Sequence, residues 1–365
     1  MPEPVSLSEC IKWFKHIAAR RLVVPGVLCL LALSSACSEL QYYRQSAGGQ
    51  LDIVQRRQAI DSLVADNAQD ANLRERLERV RALRTFAIQE LALPDSGSYT
   101  QYADLERDYA VLGLYAAPEF SIELKTWCYP VVGCASYRGY FDRPMLATYA
   151  EELRQQDYET YIAVVPAYST LGWFDDPVLN TVLQWSEPQM AGLIFHELAH
   201  QQLYVKGDTV FNESFATAVQ RAGVERWLRA HNNQAAIDRY RDYWYQRQRV
   251  VDLIMKTRDE LDGLYQQNIP VDEMRQAKRA LLEGMQQQYR ELRRTMSADP
   301  GYDNWFAGEL NNAKLGSIAA YHAYVEAFLT LLAKHKGDYP AFYAEAARIG
   351  ALSPDRRKVV LAGIQ

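Results

Sequence analysis

His196, Glu197 and His200 fall within little more than one helical turn in Leu193-Ile194-Phe195-His196-Glu197-Leu198-Ala199-His200. On a helix, side chains four positions apart project from one face, so both imidazoles can bind a single metal ion with Glu197 beside the open coordination position. The chemistry this permits is metal-assisted hydrolysis, with a ligand pair and a general base supplied from one turn. Two histidines at this spacing also arise by chance, so the flanking pattern decides. Ser186 and Gln189 have capping-box spacing, Pro188 suits a first turn, and Met190, Leu193, Ile194, Leu198 and Leu203 form an apolar stripe. The pair is therefore expected on a helix packed against a core.

A catalytic zinc needs a third protein ligand. The metzincin pattern would place a histidine where this chain has Lys206 and a glycine where it has Leu203, so that option fails. The chain instead breaks at Gly207 and Asp208, with Asn212 as the expected N-cap and Glu213 in the first turn of a helix running to about Ala230. Phe211-Asn212-Glu213-Ser214-Phe215-Ala216 resembles the stretch that carries the glutamate ligand in gluzincin aminopeptidases, and Gln201 after the second histidine also matches. The resemblance implies His196, His200 and Glu213 as ligands of one Zn²⁺, with Glu197 as catalytic base. The interval from His200 to Glu213 is shorter than in those enzymes, and their glycine-x-methionine-glutamate-asparagine motif has no counterpart here.

The elements that must position these residues can be followed from the start of the chain. Lys12, Lys15, Arg20 and Arg21 precede the apolar run from Leu22 to Leu33, which is short for a membrane span and ends in Ser34, Ser35 and Ala36. Residues 1–36 thus resemble a bacterial lipoprotein signal, with Cys37 as the lipidated residue and 37–55 as a tether; simple cleavage and release is the other option. Of the five cysteines, Cys128 and Cys134 then remain as an even pair, expected to form a disulfide in an oxidising compartment. A loop this short constrains the unfolded chain by roughly 2 kcal/mol.

Residues 56–234 are assigned to N-terminal helices and the catalytic core. Leu73, Leu77, Val80, Leu83, Ala87 and Leu91 recur at helical spacing between Asp70 and Pro94, and Ala110 to Tyr115 and Tyr161 to Val165 are candidate strands. Between the strands, the aromatic stretch from Trp127 to Phe141 suits either core packing or a wall of the cleft with Arg138 as a carboxylate binder. In gluzincins the strand just before the zinc helix pairs with substrate backbone. That place is taken here by Tyr161 to Val165 and the loop after it, which nominates Ser169, Gly172 and Trp173 as cleft residues. Asp175 or Asp176 is then the holder of a free substrate amine, or else part of a turn before Pro177.

Residues 235–297 read as an inserted antiparallel hairpin of two helices, broken at Asn268-Ile269-Pro270, with heptad-like apolar spacing. Its charges, Lys278 among them, read as a solvated face; a lid or a docking arm for a protein partner is the alternative. Residues 298–365 complete the catalytic part. There, gluzincins carry a tyrosine or histidine that bonds the oxyanion, which nominates Tyr321 and His322, and Glu309 is a further candidate amine anchor.

The fold class expected is α+β, mostly helical, with a zincin-like catalytic domain, a small mixed sheet and the inserted hairpin. The net charge of −5, with bases and acids interleaved, supports no nucleic-acid role. Over nearly the whole mature chain the sequence is similar to bacterial predicted zinc aminopeptidases with lipoprotein signals. That similarity implies a peptidase acting on peptide substrates in the bacterial periplasm, lipid-anchored to the outer membrane. An endopeptidase of envelope proteins and a non-catalytic envelope scaffold are the alternatives.

Overall fold

The computed structural model describes residues 39–129, 133–167, 170, 174–297, 300–319 and 324–364. The chain divides into two units, residues 1–52 and 53–365. A helix, α1, runs over 39–55, so the expected tether is helical where it is described. Cys37 and the signal segment lie outside the described residues. Among the described residues, no helix is long and apolar enough to cross a membrane.

The second unit opens with β1 (Arg57–Ala59), α2 (Ile60–Ala65) and α3 (Ala71–Leu91). Asp70 starts α3 by accepting the Leu73 N–H at 2.9 Å, satisfying one of the donors that a helix start leaves unpaired. Leu77, Val80, Leu83, Ala87 and Leu91 are fully buried along its inner face. The helix stops at Ala92, which is left-handed, just before Leu93 and Pro94.

β2 (Gln101–Ala103) pairs antiparallel with β1. Next come β3 (Val111–Pro118), a hairpin of β4 (Trp127–Tyr129) and β5 (Gly133–Ala135), then β6 (Arg138–Tyr140), α4 (Arg143–Arg154) and β7 (Tyr158–Val165). β3 is the centre of a three-stranded sheet, antiparallel to β6 on one side and to β7 on the other, and is buried up to Ala117. β7 is an edge strand that leaves Ile162 and Val164 exposed. Cys128 and Cys134 face each other in the β4–β5 ladder and are bridged. Arg138 is buried and lies over the ring of Tyr149 at 5.0 Å, so it packs inside the fold. β8 (Val178–Leu179) joins β2 in parallel and leads into α5 (Asn180–Leu183).

The rest is helical: α6 (Glu187–Gln202), α7 (Thr209–Ala230), α8 (Gln234–Tyr265), α9 (Val271–Arg293), α10 (Asp303–Ala307), α11 (Asn312–Ala319), α12 (Val325–Lys334), α13 (Tyr339–Gly350) and α14 (Pro354–Ala362). The main core gathers α3, α6 and α7 with the C-terminal helices. Phe211 and Phe215 of α7 meet Phe328 of α12 and Phe342 of α13, with ring centroids 5.1 Å apart for Phe211–Phe328 and 5.6 Å for Phe215–Phe342. Gly223 permits the close crossing: a Cβ there would lie 2.7 Å from Leu91 and 2.9 Å from Phe195. The helices that bear His196, His200 and Glu213 are thus packed against α3 and the C-terminal helices.

α8 and α9 do pack on each other around Val250, Ile254, Leu261, Met274 and Met285. They are also fastened to the sheet, which corrects the expectation of a wholly solvated charged face. Lys278 is buried; it pairs with Glu159 of β7 and donates to the Glu119 carbonyl at 2.7 Å. Arg275 holds the Glu119 carboxylate through two bonds, of 2.6 and 2.9 Å. From α11, Asn312 donates its amide to the Pro118 and Glu119 carbonyls at 3.1 and 2.9 Å, and its N–H to Glu159 at 2.7 Å. Asn311 donates to the Thr160 carbonyl at 3.1 Å. Every such bond satisfies a group that burial would otherwise leave costly, so the asparagine pair and the hairpin's inner charges lock helices to strands.

Candidate metal centre

α6 begins with the capping box expected from Ser186 and Gln189: the Ser186 N–H donates to Gln189 Oε1 at 3.1 Å. Its first turn is anchored by Glu187, which accepts from Trp227 of α7 at 2.7 Å and pairs with Arg79 of α3 at 2.8 Å. These contacts fix the rotation of α6 and so the direction in which its histidines project.

α7 starts earlier than the sequence suggests. Its cap is Asp208, which accepts the Phe211 N–H at 2.9 Å and pairs with the buried Arg357. Asn212, expected as the cap, lies inside the helix and closes the preceding loop, taking the Val205 N–H at 2.7 Å and donating to the Val205 carbonyl at 2.9 Å. Glu213 is thereby carried in the second turn and turned back toward α6.

His196, His200 and Glu213 converge, with one ligand atom from each lying within 4.8 Å of the other two. The two Nε2 atoms are 3.1 Å apart, and Glu213 Oε2 lies 3.3 Å from His196 Nε2 and 3.7 Å from His200 Nε2. With metal–ligand bonds of about 2.0–2.1 Å, ligand atoms on a tetrahedral zinc stand roughly 3.4 Å apart. The three separations bracket that value. The donor set, two imidazole nitrogens and one carboxylate oxygen, is also one that zinc accepts while keeping a fourth position open.

The three groups also act on one another electrostatically. Burial pushes the Glu213 carboxyl up, but hydrogen bonds and charge from His196 and His200 outweigh it and hold the group well below the usual carboxylate range. Burial opposes a charge on His196, yet Glu213, Glu197 and Gln220 together raise its pKa. His196 Nδ1 lies 3.2 Å from Gln220 Oε1, an atom that only accepts, so a neutral ring that donates from Nδ1 keeps its Nε2 lone pair for a metal. Gln220 is not among the residues that the sequence pattern nominates. It stands two turns after Glu213 on the same face of α7, whereas the position one turn after it is the buried Thr217. Gly192 leaves room for its side chain, since a Cβ there would meet Gln220 Nε2 at 3.0 Å. Gln220→Leu is expected to weaken zinc affinity roughly 10–100-fold, the usual cost of losing such a support; competition against a zinc chelator measures it.

Glu197 is half-buried on the same helix. The charges of these carboxylates act on three phenols. Burial, then the Glu197 and Asp176 charges, raise the pKa of Tyr99; burial, then Tyr115, Glu213, Glu197 and Tyr204, raise that of Tyr137; burial, then Glu213, raise that of Tyr204. All three stay protonated and able to donate. The disulfide hairpin comes close as well, because a Cβ on Gly133 would touch the Lys206 side chain in the loop between the ligand helices.

The other nominated residues fare differently. Ser169, Gly172, Trp173, Tyr321 and His322 lie outside the described residues. Asp176 is buried, and its carboxylate accepts both the N–H and the hydroxyl of Thr170 at 2.9 Å, which is the turn-shaping role rather than an open anchor. Asp175 is exposed, with its carboxylate folded over Gly97. Glu309 is exposed too, and its carbonyl accepts Lys314 Nζ at 3.0 Å.

Two histidines and a glutamate make a donor set able to hold a metal ion, with a second carboxylate one residue from the first histidine. The chain belongs to the family described as "Putative aminopeptidase", which it matches over residues 41–361. No curated protein and no solved structure matches it. The family makes peptidase activity the general function.

Proposed function

We propose that the chain is a zinc-dependent aminopeptidase, with His196, His200 and Glu213 holding one Zn²⁺ and Glu197 acting as base. The observation that carries this is the convergence of three lone-pair donors within 4.8 Å, with an acid one residue from the first histidine. Zinc bound there would supply Lewis acidity, which acidifies water from pKa 15.7 toward about 7 and polarises a carbonyl. Gln220 keeps His196 in the ligating tautomer. Glu197 takes the proton of the attacking water and returns it to the leaving amine. Among the described residues β7 is an edge strand, held at Glu159 and Thr160 by Lys278, Asn311 and Asn312, and its later part, with Ile162 and Val164 exposed, suits an extended peptide added as a further strand. The signal-like segment and Cys37 support a lipid-anchored, periplasmic location.

Matched peptides with free and acetylated amino termini test the specificity. The zinc-loaded protein is expected to cleave only the free-amine series. Equal cleavage of blocked peptides would make it an endopeptidase.

A further inference from the structure

One network beside α6 has no part in the chemistry described so far. Tyr99, in the loop between α3 and β2, has φ +63°, a left-handed conformation that crowds the Cβ of any residue but glycine. It is held there from several sides. The Tyr99 N–H donates to the Asp176 carbonyl at 2.7 Å, and the Asp176 N–H donates to Ser98 Oγ at 3.1 Å. Gln201, the residue after His200, donates to the same Ser98 Oγ at 3.0 Å, and Arg84 donates to the Ser98 carbonyl at 2.9 Å. The loop is thus bolted to the C-terminal end of α6.

The Tyr99 side chain itself is only 4% exposed and lines a small cavity together with Met190, Leu193 and Ile194 of α6. Leu193 and Ile194 precede Glu197 by four and three positions, so all three lie along one face of the helix. Tyr99 shares that cavity with the turn before Glu197, and its neighbour Ser98 is bonded to Gln201 in the turn after, so the two contacts bracket Glu197 along the helix, and the Glu197 charge acts on the Tyr99 phenol. Among the described residues the two make no hydrogen bond; such contacts are often long before substrate binds and tighten in the complex.

We propose that Tyr99 is a positioning residue for Glu197, its hydroxyl donating to the carboxylate so that the base faces the scissile carbonyl. This rests on the zinc-peptidase reading. The test compares wild type, Tyr99→Phe and Ser98→Ala as zinc-loaded proteins on a free-amine peptide, recording kcat, KM, zinc content and melting midpoint. Tyr99→Phe keeps the ring and is expected to lower kcat 10- to 100-fold, with KM within about twofold and zinc content and midpoint unchanged. Ser98→Ala keeps the phenol but frees the loop from Gln201, and is expected to lower kcat less, in the same direction. An unchanged kcat in Tyr99→Phe, or a fall that tracks lost zinc or a lower midpoint, overturns the proposal while leaving the peptidase reading intact. A wild type that cleaves no peptide overturns both.

Discussion

Glu197→Gln is expected to lower kcat roughly 10²–10⁴-fold, the range that a positioned general base contributes, while zinc content stays at the wild-type level. Glutamine has nearly the same shape and cannot take a proton at neutral pH, so the change removes the base and little else. Folding should not suffer. Glu197 makes no hydrogen bond or ion pair among the described residues, and its charge opposes that of Asp176. Burial first, and the Glu197 charge in addition, push Asp176 up to about 6 against its bonds from Thr170. A raised carboxyl pKa costs the folded state above that pH, where the group must ionise, and not below the ordinary value near 3.8. Removing Glu197 therefore leaves the melting midpoint at pH 7 equal or slightly higher. Steady-state kinetics with zinc analysis and thermal melts on the same preparation check all three outcomes; full activity in a zinc-loaded Glu197→Gln protein would refute the assignment of the base.

Glu213→Ala should have the second large effect, on the metal itself. It removes one of the three proposed ligands and the only negative charge among them, leaving the two imidazoles alone to hold a cation. The loss of zinc affinity is expected to exceed the roughly 100-fold upper range for loss of a supporting contact. Thermal melts report the same event independently. A metal that binds only the folded chain stabilises it by about 4 kcal/mol when present at a thousandfold excess over Kd. Zinc should accordingly raise the wild-type midpoint and leave that of Glu213→Ala almost unmoved. An equal rise in both proteins would mean that zinc binds elsewhere.

Much of the proposed ligand set is legible in the sequence because helical geometry is local. His196, Glu197 and His200 need only the helix period, and the capping box at Ser186 and Gln189 marks where that helix begins. Glu213 needs one step more, the loop that folds α7 back, and the resemblance of its flanking residues supplies it. The start of its helix falls four residues earlier than the sequence pattern suggests because Asp208 and Asn212 are both good caps; the choice is made by Arg357, which arrives from α14 to pair with Asp208. Gln220 is hidden because it lies two turns beyond Glu213 and glutamine carries no charge to mark it. Lys278 reads as solvated because heptad spacing says which face packs on the partner helix and nothing about a strand 119 positions away that covers the flank. Tyr99 shows the same limit: its left-handed backbone is imposed by Asp176, Ser98 and Gln201 together, a set that no local turn pattern assembles.

The measurement to make first is the zinc K-edge X-ray absorption spectrum of the protein loaded with one equivalent of zinc, with Glu213→Ala alongside. A four-coordinate shell of two imidazole nitrogens and two oxygens, losing one oxygen contribution or the metal itself in Glu213→Ala, is the predicted result. A six-coordinate all-oxygen shell, or a spectrum that Glu213→Ala leaves unchanged, would contradict the assignment of His196, His200 and Glu213 as the zinc ligands.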